Sequence, residues 1–506
     1  MPRLEKSGTT RRGFIVGGGA LLGQALTPAG IPRALAATPW DLIVVGGGTA
    51  GLPTAVFAAQ RARVLVIERA PLVGGTLDRS TGQVAAAGTV FQQAKNIVDT
   101  PDAHYEDIMR INGGTSDPDL TRLVVDHAGG MLNWLAEHGY EVEPDHPVTG
   151  SGHEHFRIPR YQWGPKGGWS IVEALQEPLA TAQVGGNLTI LLNTSVVDLM
   201  LNGAGAVTGV VAMDAERVRT DYPARNVVLA SGGCASNPHM FEELHGVPLY
   251  CQIANPNSQG IGLTLGQAAG GYLRGGEKYA ALLGAILADD HYPAAPAAIP
   301  ALNPSLRKPW EILVNSNGER FVQEDHASID HIEKQLGKQP GHRHWAIFDA
   351  NILDQAPPLI PNWDAQAVRD ACNDHPMFSS ADSISELGVR AGVHPRHLQT
   401  TVEVYNKARE NKTDDPQGLQ HRPLAIAKPP FYAVRMQGWT LVSFAGLAVN
   451  PQLQVIRNDG QAVQNLYAAG EIIGAGATSG NAYTNGMLVT PAITFGRLLG
   501  ERILQF

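Results

Sequence analysis

Residues 40–70, WDLIVVGGGTAGLPTAVFAAQRARVLVIERA, combine two short apolar runs with a glycine-rich turn between them. The run LIVV predicts a buried strand, and Gly46, Gly48 and Gly51 follow it in the spacing G-x-G-x-x-G. Glu68 closes the second apolar run. This order of strand, glycine turn, helix, strand and acidic residue predicts a βαβ unit that binds a dinucleotide, with its phosphates at the helix N-terminus.

Each residue of this motif has a physical reason for its position. Gly46 allows a tight turn, Gly48 lets the backbone approach a pyrophosphate, and Gly51 lets the helix pack on the strand. Glu68 would accept hydrogen bonds from ribose hydroxyls, and its negative charge disfavours a 2′-phosphate. The similar stretch GFIVGGGALL at residues 13–22 lacks the third glycine and the acidic strand end, so it does not predict a second site.

The composition is that of an ordinary globular protein. The chain has 506 residues, which is enough for two or three domains, and its net charge of -9 argues against nucleic acid or an anionic membrane as the main partner. Its cysteines, Cys234, Cys251 and Cys372, are too far apart for a CxxC metal pair or a CxxCH haem attachment. We therefore expect core thiols, no bound metal and a separate electron acceptor.

The first residues resemble a targeting signal. The paired Arg11 and Arg12 precede a weakly hydrophobic run, and residues 34–36 offer an A-x-A cleavage site. The run is too short to span a membrane. The pattern indicates a twin-arginine signal peptide over residues 1–36, a periplasmic or otherwise exported protein, and no membrane span in the mature chain.

Three later segments resemble a known family. They are PLVGGTLDRSTGQVAAAG at 71–88, NVVLASGGCASN at 226–237 and VQNLYAAGEIIGAG at 463–476. Together with the first motif they are similar to the flavoprotein family of fumarate reductases and succinate dehydrogenases, which includes the 3-ketosteroid Δ1-dehydrogenases and related cyclic-ketone desaturases. The resemblance covers roughly residues 40–506, and it implies FAD rather than NAD.

The resemblance also implies where FAD is held. The expected FAD-binding residues are Gly46, Gly48, Gly51, Glu68, Gly75, Thr76, Ser80, Thr81, Gly82, Gly232, Gly233, Gly470, Glu471, Met487 and Leu488. Some relatives attach FAD covalently through a histidine after the second strand, but residues 69–99 contain none. Noncovalent FAD is therefore expected.

The family fold implied is α/β, with a discontinuous Rossmann-like FAD-binding domain and an inserted α+β capping domain that covers the substrate. The expected boundaries are 37–273 for the first part of the FAD-binding domain, 274–433 for the capping domain and 434–506 for the second part. The Pro- and Ala-rich stretch YPAAPAAIPALNPSLRKP at 292–309 falls within the expected cap.

Fumarate reductases of this family clamp a dicarboxylate with histidines and arginines. When the local motifs are aligned, the four cationic positions hold Trp163, Ser328, Val442 and Tyr483. Without those cations the charged groups of a dicarboxylate would lack partners in a dry site. The sequence therefore argues against a fumarate reductase or succinate dehydrogenase and favours a neutral, largely hydrocarbon substrate.

The ketosteroid dehydrogenases resemble this pattern, because they carry a C-terminal tyrosine followed closely by a glycine whose N–H faces the substrate ketone. Tyr483 and Gly486 hold about those positions, which implies that they stabilise a developing enolate. The tyrosine that these relatives carry near Ser328 is missing. Tyr161 is the first candidate for the base, and Asp325 or His326 are the alternatives.

A local cationic cluster in GHEHFRIPR, residues 152–160, contains His153, His155, Arg157 and Arg160. It could bind a substrate carboxylate or form a solvated loop. The leading hypothesis is an exported FAD-dependent enzyme that dehydrogenates a cyclic or steroid-like ketone and passes hydride to flavin N5. The alternatives are a reductase of a non-dicarboxylate C=C bond and an FAD-binding protein without turnover.

Overall fold

The computed structural model describes residues 38–504. The predicted signal peptide lies outside the described residues. Among residues 38–504 no helix is both long and apolar enough to cross a bilayer. The three cysteines are free thiols, and burial raises the pKa of Cys234 to about 12.

Nineteen strands lie within residues 38–504. Within the described residues they are β1 Leu42–Val45, β2 Val64–Ile67, β3 Val84–Ala85, β4 Tyr161–Gln162, β5 Leu188–Leu191, β6 Ser195–Leu201, β7 Val207–Met213, β8 Arg219–Pro223, β9 Val227–Leu229, β10 Leu273–Arg274, β11 Leu282–Leu287, β12 Pro296–Ala298, β13 Ile312–Val314, β14 Arg343–Asp349, β15 Phe378–Ala381, β16 Phe431–Trp439, β17 Gly446–Leu447, β18 Gln454–Ile456 and β19 Ala462–Ala468.

Helices fill the connections between these strands. Within the same residues they are α1 Gly51–Ala58, α2 Val90–Gln93, α3 Pro101–Asn112, α4 Pro118–Glu137, α5 Gly168–Val184, α6 Pro238–His245, α7 Ile261–Ala268, α8 Ile329–Leu336, α9 Ala350–Gln355, α10 Ala365–Asp374, α11 Ile384–Ala391, α12 Pro395–Glu410, α13 Gly476–Ser479 and α14 Val489–Arg502.

The first sheet has the strand order β18-β19-β9-β1-β2-β5. Its five strands from β19 to β5 are parallel, and β18 adds an antiparallel edge. Strands β1 and β2 are fully buried apolar runs, as expected for a parallel sheet covered on both faces. Because β19 pairs with β9, the end of the chain completes the sheet that its beginning starts. This confirms the discontinuous Rossmann-like fold.

A second sheet has the order β12-β11-β16-β14-β13, with β15 also paired to β16. It is antiparallel wherever its strands pair and carries its own apolar core, which includes Ile347, Tyr405 and Val434. This is the α+β capping unit that the sequence predicts. The expected boundary at 433 falls inside β16, and that at 274 falls in β10, which pairs with β17. The boundaries stay predictions.

Small residues bring the C-terminal helix α14 onto α1. A side chain at Gly496 would place its Cβ 2.3 Å from the Ala50 carbonyl oxygen, and one at Gly500 would lie 2.7 Å from that of Thr54. The two helices therefore touch through their backbones. Because of this contact, the segment that precedes α14 lies near the turn that follows β1.

Arg160 lies in a buried ion cluster rather than in solvent. Its side chain is fully buried and donates to Asp99 at 2.7 Å and to Asp107 at 2.9 Å. The cluster joins the start of β4 to the helix α3. The Arg160 guanidinium is thereby committed to structural carboxylates, whereas Arg157 on the same segment is 61% exposed.

We expect Arg160→Leu to destabilise the protein by about 3–5 kcal/mol, because it leaves the buried Asp99 without a cation and Asp107 with only the more exposed Arg110 and Arg157. Arg157→Leu is the matched control and should change stability by less than about 0.5 kcal/mol. Urea denaturation followed by circular dichroism measures both variants. Equal unfolding midpoints for the two would contradict this assignment of the cluster.

Candidate active site

The turn between β1 and α1 is closed by backbone contacts that admit no side chain. A Cβ on Gly51 would lie 1.9 Å from the Gly46 carbonyl oxygen, and a Cβ on Gly46 would lie 2.6 Å from that of Ala230. Gly46 also has a φ of 102°, which favours glycine. The helix therefore begins directly against the ends of two neighbouring strands, β1 and β9.

Gly48 differs from the other two glycines of the motif, because a Cβ placed there would overlap no other atom. The nearest atom to a Cβ placed there is the Gly75 Cα at 3.6 Å, an ordinary contact distance. Next to it, the hydroxyls of Thr49 and Thr76 are hydrogen-bonded at 3.1 Å. The two glycine-rich turns thus pack together and present bare backbone to the space beside them.

Glu68 is held at the end of β2 by two backbone donors. The Gly47 N–H donates to one carboxylate oxygen at 2.7 Å, and the Ala70 N–H donates to the other at 2.8 Å. The residue is 8% exposed and lines the cavity described next. Its carboxylate is therefore fixed at the position where the motif places a ribose partner.

A cavity of about 2830 Å³ runs from this turn to the underside of the cap. Most of the predicted FAD-binding residues line it: Gly46, Gly48, Glu68, Gly75, Thr76, Ser80, Thr81, Gly232, Gly470, Glu471, Met487 and Leu488. Gly51, Gly82 and Gly233 are not in its lining. They instead allow close packing outside the lining. A Cβ on Gly82 would lie 2.5 Å from Gly167, and one on Gly233 would lie 2.0 Å from the Ser443 hydroxyl.

The walls of this cavity fit FAD. Several exposed large apolar side chains line it, including Leu72 at 70% and Trp169 at 37%. The buried hydroxyl of Ser231 lines the cavity and has no partner among the described residues. Apolar walls for a ring system, bare glycine backbone for phosphates and an unpartnered hydroxyl are the surroundings that a flavin dinucleotide needs.

Glu471 closes one wall from behind. Its carboxylate accepts hydrogen bonds from the Ser443 N–H at 2.9 Å and the Ser443 hydroxyl at 3.2 Å. The same hydroxyl accepts from the Cys234 N–H at 3.1 Å. Burial raises the pKa of Glu471 above its ordinary value, and the Ser443 hydrogen bonds oppose that rise. The side chain thus joins the β9 turn, the end of β16 and the segment after β19.

Tyr483 lies in an apolar patch at the cap end of the cavity. It is 4% exposed and packs in a small cluster with Val442 and Phe444. Its hydroxyl is hydrogen-bonded to that of Thr440 at 2.5 Å. Burial raises the pKa of Tyr483 well above its ordinary value, so the phenol keeps its proton near neutral pH.

Gly486 sits against the strand β3. A Cβ there would lie 2.6 Å from the Ala85 nitrogen, and its φ is 77°. Among residues 38–504, its N–H donates to no backbone carbonyl. Since Gly486 also lines the cavity, this N–H is a donor available to a bound molecule.

The base candidates lie in different surroundings. Tyr161 lines the cavity and is 1% exposed, and burial raises its pKa well above its ordinary value. His326 is not in the cavity lining; its Nδ1 accepts from the Ser328 N–H at 3.1 Å, and its ring stacks on His331. Asp325 accepts from two backbone N–H groups at 420 and 421. The structure therefore brings Tyr161 to the site and leaves His326 and Asp325 outside it.

Of the four positions where relatives carry cations, two face the cavity. Val442 and Tyr483 line it. Ser328 instead caps α8, where its hydroxyl accepts from the His331 N–H at 3.3 Å. Trp163 packs edge-on against Tyr161, at 5.4 Å between ring centroids.

His153 lines the cavity, although the sequence predicted it only as a member of a cationic cluster. Its ring stacks on that of Tyr483 at 5.4 Å with an angle of 24°, and its Nδ1 lies 3.3 Å from a Glu333 carboxylate oxygen. Asn485 anchors the loop, because its amide donates to the Glu154 carbonyl at 2.9 Å. No local sequence motif predicts this arrangement, because it depends on a contact between the loop and the cap.

His153 also belongs to a group of metal-type ligands. One ligand atom each from His153, Asp330 and Glu333 lies within 4.8 Å of the others. A cation is already present, because the Lys334 ammonium lies 3.5 Å from Asp330 and donates to the Ile111 carbonyl at 2.9 Å. Lys334 thus offsets one of the two carboxylates, and a protonated His153 offsets the other.

The chain is similar to several characterised oxidoreductases. Fumarate reductase (cytochrome) from Shewanella frigidimarina is 26% identical over 478 residues, covering 94% of this chain and 79% of that protein. The 3-oxosteroid 1-dehydrogenase from Mycobacterium tuberculosis is 24% identical over 577 residues, covering 92% and 98%. The structure of 3-ketosteroid Δ1-dehydrogenase from Sterolibacterium denitrificans matches with a TM-score of 0.70 at 19% identity, covering 92% of this chain and 99% of that one. This last match shows the shared fold.

Two alanine substitutions distinguish the glycine that approaches FAD from the glycine that allows the helix to pack on the strand. Gly48→Ala should leave the unfolding midpoint near that of the wild type but weaken FAD by at least about tenfold, because the methyl group enters the space of the pyrophosphate. Gly51→Ala should lower both stability and FAD content, because its Cβ overlaps a carbonyl oxygen. FAD titration and urea denaturation measure the two effects. Wild-type FAD affinity in Gly48→Ala would contradict the placement of the dinucleotide.

A family model described as "FAD binding domain" matches residues 41–485. The match begins at the strand β1 and ends beside Gly486, so it spans both parts of the first sheet and the cap between them. The turn, the acidic strand end and the cavity described above all lie inside or next to it. The chain belongs to this FAD-binding family and is an FAD-dependent oxidoreductase related to the fumarate reductases and 3-oxosteroid 1-dehydrogenases.

Proposed function

We propose that this protein dehydrogenates a neutral cyclic or steroid-like ketone between the carbons α and β to its carbonyl. The observation that carries the proposal is the Tyr483 hydroxyl, a protonated phenol in an apolar patch of the same cavity that Gly486 lines, with a Gly486 N–H that donates to no backbone carbonyl among residues 38–504. Two such donors in a dry site suit a carbonyl oxygen that gains negative charge during reaction.

The surroundings of Tyr483 favour a neutral substrate. Apart from the tyrosine, its cluster consists of Ala280, Val442, Phe444 and Ala475, with Leu282 and Leu488 packed against it. A dicarboxylate bound here would lose its hydration without gaining the paired cations that offset that loss. A hydrocarbon ring with one ketone loses little on entering the same space.

Thr440 holds the Tyr483 hydroxyl in place. The Thr440 hydroxyl donates to the Val442 carbonyl at 3.0 Å and lies 2.5 Å from the phenol oxygen, so in this arrangement it accepts the phenol proton. A ketone oxygen takes over that proton when the Thr440 hydroxyl turns from Val442 to the phenol oxygen. Polarising the carbonyl in this way acidifies the neighbouring C–H bond.

Bound FAD supplies the two-electron oxidant that accepts a hydride from the β carbon. The residues that would hold it are those of the glycine turn, Glu68 and the segments at 75–81 and 470–471. The chain itself must supply the group that takes the α proton. Tyr161 lines the cavity, but its raised pKa keeps the phenol protonated at neutral pH, so it is poorly suited to accept a proton directly.

A second candidate function uses the same groups in the opposite direction. The similarity to fumarate reductase favours a reductase of an activated C=C bond. In that direction Tyr483 and Gly486 polarise the conjugated carbonyl and a protonated side chain delivers the proton. The replaced cationic positions still favour a substrate that is not a dicarboxylate.

Tyr483→Phe should lower the rate of ketone oxidation by about 10²-fold or more while FAD stays bound, because one donor to the developing enolate is lost. Tyr467→Phe is the matched control, since that tyrosine is buried in β19 outside the cavity. Single-turnover reduction of the flavin by saturated cyclic ketones measures both. Equal rates in the two variants would remove Tyr483 from the mechanism.

We further propose that residues 1–36 direct the protein to the twin-arginine export route, so that FAD is bound before the chain leaves the cytoplasm. The support is the Arg11–Arg12 pair with its weakly hydrophobic run and A-x-A site. Replacing both arginines by lysine should keep the protein in the cytoplasm with its FAD. Cell fractionation measures this, and undiminished export of the variant would contradict the proposal.

A further inference from the structure

We infer that His153 is the side chain that exchanges the substrate α proton, and that Glu333 of the cap positions it. The inference rests on the proposed function of the same site and names the base that function requires. It is carried by three observations: His153 lines the cavity, stacks on Tyr483 and faces the Glu333 carboxylate.

The hydrogen bond to Glu333 decides which nitrogen can act. With Nδ1–H donating to the carboxylate at 3.3 Å, the lone pair of the imidazole lies on Nε2. Glu333 is 6% exposed, so its carboxylate interacts with the ring in surroundings of low polarity. A base oriented by a buried carboxylate is the arrangement that general-base catalysis uses.

The position of the ring is fixed from two sides. The loop 150–154 is tied to Asn485, two residues from Tyr483, while Glu333 belongs to α8 of the cap. His153 is therefore held between the loop beside Tyr483 and a helix of the cap. Its side chain is 22% exposed and lines the cavity, so part of the ring is accessible to a bound molecule.

In the proposed step the substrate loses a proton from the α carbon and a hydride from the β carbon. The bond between the α carbon and its hydrogen breaks, and the proton goes to His153 Nε2 while Tyr483 and Gly486 hold the carbonyl oxygen. The hydride from the β carbon goes to FAD, which is reduced, and the substrate is oxidised to the enone. The imidazolium is then paired with Glu333 until it releases its proton to solvent.

Other charged groups face this pair and set its pH dependence. They are Asp330, Lys334 and Glu154, with the Tyr483 phenol across the ring. Burial alone would lower the pKa of His153, but the hydrogen bond and charge of Glu333 outweigh it and raise that pKa above its ordinary value. Dehydrogenation should therefore rise with pH through a limb above about 6.5, where the base becomes neutral.

The experiment compares His153→Gln and Glu333→Gln with the control His155→Gln, an exposed histidine on the same loop. The holoenzymes are mixed anaerobically with cyclohexanone and a 3-oxosteroid. His153→Gln should lower flavin reduction by about 10²–10⁴-fold, whereas His155→Gln should match the wild type. Glu333→Gln should move the pH limb to lower pH, an effect that a purely structural role would not produce.

A second readout does not depend on turnover. In histidine-labelled holoenzyme, the NMR resonance that disappears in His153→Gln should titrate above pH 6.5 and shift to lower pH in Glu333→Gln. If the wild type oxidises a ketone but His153→Gln and His155→Gln react alike, or if the resonance is unmoved in Glu333→Gln, this inference is overturned and the proposed function stands. If the wild type oxidises none of the ketones, both are overturned.

Discussion

The contact between the Gly46 carbonyl and the backbone of Gly51 is the constraint on which the rest of the site depends. No side chain fits there, so the helix α1 starts directly against the end of β1. Its N-terminus and the bare backbone of Gly48 then face the cavity together. The helix α14 packs closely on α1 through Gly496 and Gly500, and the segment that precedes it carries Tyr483 and Gly486, which line the same cavity.

The parts of this arrangement that follow local sequence rules could be predicted. The glycine spacing and Glu68 predicted the first βαβ unit, since turn, helix start and strand end lie within thirty residues of one another. The family resemblance of the segments at 71–88, 226–237 and 463–476 predicted FAD and the discontinuous fold. The same family resemblance predicted that Tyr483 and Gly486 belong to the site, and both line the cavity.

Non-local contacts could not be predicted. His153 meets Glu333 across 180 positions of the chain, and only the packing of the cap on the FAD-binding domain brings them together. Arg160 is close to His153 in the sequence, yet its side chain lies in a buried ion cluster. His326 lies near the alignment position of a missing tyrosine, but the residues around it form a helix cap away from the cavity.

Charge balance links the site to its substrate. Around the phenol, the His153 imidazole lies beside the Glu333 carboxylate and the Lys334 ammonium beside that of Asp330, so none of these four groups offers an unpaired cation to a substrate carboxylate. The cluster around Tyr483 is otherwise apolar, and Tyr483 and Gly486 line the same cavity with one donor each. A neutral ketone satisfies both features, since it needs hydrogen bonds at its oxygen and apolar contacts elsewhere.

The most direct test of this account is anaerobic rapid-mixing spectroscopy of the holoenzyme with two classes of compound. The account predicts that a saturated cyclic ketone bleaches the oxidised flavin, and that fumarate does not restore its absorbance once the enzyme has been chemically reduced. Rapid reoxidation by fumarate, with no bleaching by any cyclic ketone, would contradict it.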